Sequence, residues 1–249
     1  MKDGTSFEAA SLEQRPDLAD RFGLTSEGAW PKFLLHADTL HWGSLFDTFA
    51  GFQIAFVGPE DAVIAIGHTA PFVWDGTSED LPLKLNGVLG RALEDRRLGR
   101  KPNTLSALAA IVTPDEQGRG LSAEVLRAMR SLAAGHGMHS LVAPVSPTVK
   151  SLYPLTPFER YVRWKRDDGA PFDPWLRVHW RLGAEFMKVA SEAITVTGTV
   201  AEWEEWTGMR FPESGEYIIP GALQPAQIDR ENDTGRCDDP NVWMRHPVP

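Results

Sequence analysis

Gln117-Gly118-Arg119-Gly120-Leu121-Ser122 places two glycines one residue apart between an apolar run, 104–112, and an amphipathic one. Such a turn presents closely spaced backbone N–H groups with no side chains in the way. Behind them stands the positive end of a helix dipole, so the chemistry it suits is the holding of a phosphate. The local charge agrees. Between Gln117 and Lys150 the cations Arg119, Arg127, Arg130 and Lys150 face the lone acid Glu124, within a chain whose formal charge is -9. An anionic ligand finds its best field there. His136-Gly137-Met138-His139 could suggest a metal pair but reads better as a helix-end turn. With no HExxH motif present, no metal is expected.

The elements that must position this loop follow from periodicity. Residues 104–112 form a nearly unbroken apolar strand, as expected for one covered on both faces. After the glycines, Leu121, Val125, Leu126, Met129 and Leu132 make one helical stripe, with Gly135 at the capping position. A strand at 139–145 follows, and Ser146-Pro147 opens a helix over 148–153. Upstream, 11–24 and 40–49 read as helices on either side of the Trp30-Pro31 break. The runs 52–57 and 62–68 form a hairpin around Gly58-Pro59-Glu60-Asp61, and 83–98 is a helix stopped by Gly99. Downstream, 154–174 is an inserted loop, 174–183 a helix, and 184–189 and 193–198 strands. Thr199-Val200-Ala201-Glu202 is a capping box for the helix carrying Trp203 and Trp206, which pack the extension onto the sheet or line a hydrophobic acceptor pocket. From Pro212 onward the proline- and glycine-rich tail reads as an irregular extension.

Composition narrows the classes. Hydrophobic residues at 42% and charged residues at 24% exclude a disordered or fibrous chain. The acidic balance argues against nucleic-acid binding. No apolar run reaches the roughly 18 residues a membrane helix needs, and MKDGTSFEAASLEQRPD lacks the apolar core of a signal peptide, so a cytoplasmic protein with no membrane partner is expected. The single cysteine, Cys237, excludes an intramolecular disulfide and reads as a bystander.

Three phosphate cradles compete for the loop. Gly118-Arg119-Gly120-Leu121-Ser122-Ala123 satisfies G-x-G-x-x-A, but a dinucleotide fold needs an acid about 20 residues on. Asp and Glu are absent from Val125 to Phe158. A nucleotide-triphosphate loop fails because no Gly-Lys-Ser/Thr follows. The third fits: Gln117 to Ser122 resembles the Q/R-x-x-G-x-G/A signature of the GNAT superfamily, the acyl-CoA-dependent N-acetyltransferases, with Ser122 as the final small residue. The resemblance spans about 52–189.

The resemblance implies an α/β (α+β) fold, a GNAT-like mixed, mostly antiparallel central sheet splayed at its centre and flanked by helices. One domain is expected over 1–249, with a core of about 30–200 and the extension over 201–249. By resemblance, backbone groups of Gln117, Gly118, Arg119, Gly120, Leu121 and Ser122 bind the cofactor pyrophosphate. Those of Ile111 and Val112 address the pantetheine arm and thioester of acetyl-CoA or another acyl-CoA. The implied reaction is N-acetylation of a small-molecule amine by direct attack on the thioester. Tyr153, on the short helix after the fifth strand, stands where the family's acid is found. Asp173 to Ala184, D-P-x-L-x-x-H-x-x-x-G-A, looks like a segment of divergent GNAT-like proteins, including those fused to nitrilase-type or polyketide enzymes, and places His179 as a second candidate for proton transfer. The strand 104–112 carries no carboxylate, so His68, Asp75 and His41 are the substitutes for a base. Decarboxylation of an acyl-CoA, S-acyl transfer, and CoA binding without turnover are the alternatives. A homodimer is compatible with an exposed sheet edge.

Overall fold

The computed structural model describes residues 7–26 and 28–248; residues 1–6, part of the stretch read for a leader, lie outside these. β1 (Glu8–Ser11), β2 (Gln53–Val57), β3 (Val63–Phe72) and β4 (Thr104–Val112) pair antiparallel in turn, and β5 (Ser140–Val145) joins β4 in parallel. β9 (Thr234–Pro247) lies antiparallel to both β5 and β6 (Glu185–Gly198). Farther along, β9 carries β8 (Ala226–Asp229) and β7 (Gly215–Tyr217). The result is one nine-stranded, mostly antiparallel sheet.

Helices cover both faces. α1 (Ala19–Ser26), α2 (Ser44–Asp47) and α3 (Leu85–Arg97) lie on one side, where Leu45, Val88, Leu89 and Ala92 meet Phe72, Leu108 and Trp243. On the other, α4 (Leu121–Gly135) and α6 (Pro174–Arg181) bury Val125, Leu126, Met129 and Leu176 against Leu105, Leu141, Val242 and Met244. Each such large side chain contributes about 1.5–3 kcal/mol relative to an exposed one. Gly67 on β3 lets α4 approach, since a Cβ there would lie 2.7 Å from Met129 Cε. α5 (Phe158–Tyr161) lies within the insertion and α7 (Val200–Thr207) follows β6.

Two irregularities shape the centre of the sheet. β4 and β5 pair only through Thr104–Ser106 and Ser140–Val142; beyond that β5 turns to β9 while β4 runs on with β3 alone, which opens the expected splay. On β4 the register jumps between Ala107, opposite Thr69, and Ala109, opposite His68, so Leu108 is an extra residue. The bulge resets the alternation: Ala107, Ala110 and Val112 pack with α4, while Ala109 and Ile111 face α1.

Several sequence expectations need correction. The tail is not irregular: β9 is an interior strand of the sheet, flanked by β5 and β6. The two strands read at 184–189 and 193–198 are one, β6, with a bulge between Ala190 and Ile194. Residues 11–24 hold the end of β1, a turn, a 3-10 turn at Pro16–Leu18 and then α1. The helix read at 40–49 shrinks to α2, because His41 adopts φ +70°. Residues 148–153 form only a 3-10 turn at Lys150–Leu152. Gly135 ends α4 without capping it; the left-handed residue is Gly137, at φ +69°.

Candidate functional site

The glycine loop sits at the N-terminus of α4. Gly118 and Gly120 take φ +78° and +85°, the left-handed region that disfavours any Cβ, and no atom lies within 4 Å of where a Cβ would be. Gly120 is the N-cap and no side chain caps the helix, so first-turn N–H groups emerge from the α4 N-terminus. The loop is braced from below: Gln117 Nε2 donates to Val112 O at 3.2 Å, and Arg119 pairs with Glu116 at 2.9 Å. Open space, glycine geometry and an uncapped dipole together fit a pyrophosphate.

Beside the loop runs the splay. Along Ala107 to Val112 the β4 edge away from β3 has no strand partner among the described residues; since Thr113 N donates to Ile64 O, the alternation turns the backbone groups of Val112 to the opening, whereas those of Ile111, expected there too, turn to Ile66 on β3. The Val112 carbonyl is already engaged by Gln117.

Tyr153 follows the 3-10 turn after β5, and its ring, 36% exposed, packs edge-on against Trp164 and Phe172 and tilted on Tyr161. That aromatic cluster is tied down by Asp173, 1% exposed. Its carboxylate caps α6 through Trp175 N and Leu176 N, and also accepts from Val149 N and the Tyr161 hydroxyl. Burial, then Asp173, pushes the Tyr161 phenol above its ordinary range, so Tyr161 keeps its proton and Tyr153 presents the accessible phenol.

His179, the second candidate for proton transfer, lies on α6. Its ring is 1% exposed, lies 4.5 Å from Trp175, and its Nδ1 is 2.8 Å from His246 Nε2 on β9. Burial, reinforced by His246, lowers the His179 pKa, and burial takes His246 down to about 4. The pair is a neutral, buried hydrogen bond between α6 and β9, and no ring contact or hydrogen bond joins it to Tyr153. Among the substitute bases, Asp75 accepts from Thr77 N and Oγ1 as a turn former. His41 shapes the turn before α2. His68 is 2% exposed among Phe22, Trp42 and Phe46. Gln53 Nε2 donates to Phe49 O and Thr69 O, which leaves its Oε1 to accept from His68 Nδ1 at 3.0 Å. Burial holds His68 neutral, down to about 4.

His136 packs tilted on Phe52 at the turn after α4, and no group of three or more metal-ligating side chains occurs among the described residues. Trp203 is fully buried against Phe33 and Gly235, and Trp206 stacks on His36, so both pack the C-terminal elements. Burial raises the Cys237 thiol to about 12.

Sequence reasoning missed two polar residues because they lie on β9. Asp239 and Asn241 are each 3% exposed. Burial pushes the Asp239 carboxyl up to about 7, so it favours the fold when protonated. Stability is therefore expected to fall as pH rises from about 4 to about 7, by an upper bound of roughly 4 kcal/mol. Urea unfolding across that range checks this, with Asp239→Asn expected to flatten the decline.

No protein-family model matches the chain. The arginine N-acetyltransferase avaD of Aspergillus versicolor is 32% identical over 249 aligned positions, covering 88% of this chain and 85% of the relative. Among solved structures, the loading GNATL domain of CurA from Lyngbya majuscula superposes with a TM-score of 0.62 at 16% identity over 99% of this chain and 98% of that one. The GphF GNAT-like decarboxylase in complex with isobutyryl-CoA gives 0.62 at 16% identity over 98% of this chain and 100% of that one. At these identities the two structures speak for the fold. No described helix is long and apolar enough to cross a membrane.

Proposed function

Because the chain belongs to the GNAT superfamily and is an acyl-CoA-dependent acyltransferase acting on an amine, we propose that it transfers the acetyl group of acetyl-CoA to a small-molecule amine, with arginine or a close analogue as the first acceptor to try. The observation that carries this reading is the pair of left-handed glycines at the uncapped N-terminus of α4, directly beside the splay. The avaD relative supplies the acceptor class. The whole of 1–249 acts as one domain in this reading, since β9 ties the C-terminal residues into the sheet.

Backbone N–H groups of 117–122 hold the pyrophosphate, and the free edge of β4 at Val112 aligns the pantetheine arm. When bound, acetyl-CoA supplies the acetyl group as an activated thioester. The neutral amine forms the new N–C bond as the C–S bond breaks. The departing sulfur takes a proton from the Tyr153 hydroxyl, the acylated nitrogen gives its surplus proton to water, and one proton from water restores Tyr153, so the cycle closes with amide and CoA thiol as products. Tyr153 is assigned this proton because its phenol is accessible while that of Tyr161 is committed to Asp173. His179 and His246 position α6 against β9.

Incubation with acetyl-CoA and arginine tests the reading by CoA thiol release and by an acetyl mass gain on the amine. Tyr153→Phe is expected to lower kcat by roughly 10²-fold while leaving acetyl-CoA affinity within about twofold. Unchanged kcat would remove Tyr153 from the chemistry. Turnover of malonyl-CoA to carbon dioxide without amine acylation would favour decarboxylation instead.

A further inference from the structure

Beyond the end of β5 the core holds oxygen atoms that the fold itself does not need. β5 stops at Val145, opposite Val242, but β9 continues, so Asn241 and Asp239 border the opening left between β4 and β5. Residues two apart on a strand share a face. Asn241 and Asp239 thus face the same way as Trp243, whose side chain packs with Leu108 and Val142 on the α3 side of the sheet. The glycine loop and α4 stand on the opposite side, so the splay connects the two.

Asn241 Oδ1 is buried with no hydrogen-bond partner. The Asp239 carboxylate has one long contact, 3.5 Å from the half-buried Ser146 hydroxyl, and among the described residues no cation pairs with it. A buried carboxylate with no cation beside it and an orphaned amide oxygen each cost stability that an apolar side chain would not. Both are acceptors in want of donors. The complementary group is a cation with several N–H donors, and a guanidinium meets two adjacent oxygens in its own plane.

We propose that Asp239 and Asn241 hold the cationic end of the acceptor, a guanidinium or ammonium group, so that a second, neutral amine of the same molecule faces the thioester. The proposal rests on the acyl-transfer reading and specifies its substrate class: amines bearing a second nitrogen group that is cationic at neutral pH. A guanidinium stays protonated and is a poor nucleophile, so the group recognised is not the group acylated.

The test is isothermal titration of the CoA-saturated full chain with arginine, agmatine and putrescine, and with citrulline as the neutral isostere of arginine. At least one cation is expected to bind, and citrulline to bind about 30-fold more weakly than arginine, as for a lost charge-assisted contact. Asp239→Asn should weaken the cation by 10-fold or more and erase the arginine-to-citrulline difference, while acetyl-CoA binding stays unchanged. Asn241→Ala is the second variant, expected to weaken the cation several-fold with acetyl-CoA affinity intact. Equal binding of arginine and citrulline by the wild type, binding of none of the three cations, or undiminished cation binding by Asp239→Asn would each overturn the proposal. Acetylation of amines without charge preference would sink this site alone; cation binding lost in Asp239→Asn, with no acetyl transfer, would sink only the transfer reading.

Discussion

Gly120→Glu should abolish acetyl-CoA binding, with measurable heat for the wild type in isothermal titration and none for the variant, a loss of at least about 100-fold, or roughly 2.7 kcal/mol. Two effects add. Gly120 sits at φ +85°, where any side chain strains the backbone by roughly 1–2 kcal/mol. The new carboxylate also lies at the N-terminus of α4, where the dipole stabilises it in the place a pyrophosphate would take. Gly120→Ala separates the two: it carries the strain without the charge and should retain measurable affinity. If Gly120→Glu bound acetyl-CoA as the wild type does, the loop would not be the cradle.

The second large effect concerns the other end of the chain. A protein ending at Phe211 is expected to lose cooperative folding altogether. The deletion removes β9, which hydrogen-bonds to β5 along Ser140–Val145 and to β6 along most of its length. It also takes Val242 and Met244 from beneath α4, Trp243 from beneath α3, and the strand segment at Gly235 against which Trp203 packs. Those losses exceed the 5–15 kcal/mol that holds a typical domain folded. Near-ultraviolet circular dichroism and urea titration decide the matter. A sharp unfolding transition in the shortened chain would mean that the remaining strands suffice.

The contrast between those two predictions shows what was legible. β4 and α4 were readable because their signals are local: an unbroken apolar run, a stripe at helical spacing, and glycines between them. The glycine turn that opens α4 was therefore visible, as was the Thr199 capping box, which the structure forms in full. β9 was not readable, since Thr234–Pro247 contains Gly235, Asp238, Asp239, Pro240 and Asn241, residue types depleted in strands. Pairing on both sides supplies what propensity lacks. Pro240 is tolerated because it falls where β6 bulges between Ala190 and Ile194, so no ladder hydrogen bond is asked of it. The hydrogen bond that holds His179 was unreadable for the same reason, because its partner, His246, belongs to that strand. Asp239 and Asn241 were hidden for this reason too, looking like turn residues until the sheet enclosed them.

The position of β9 also sets a timetable. β5 and its partner stretch of β9 are separated by roughly 100 residues of chain, so their contact closes one of the longest loops in the molecule. Loop closure of that length is a slow step and raises the mean separation of contacting residues. Until it happens, β5 presents an unpaired edge, Leu141 to Val145, made almost wholly of apolar residues. Assembly is therefore a race between strand insertion and pairing with a neighbouring chain. A dilute, slowly synthesised or chaperone-shielded chain wins that race more often than a concentrated one.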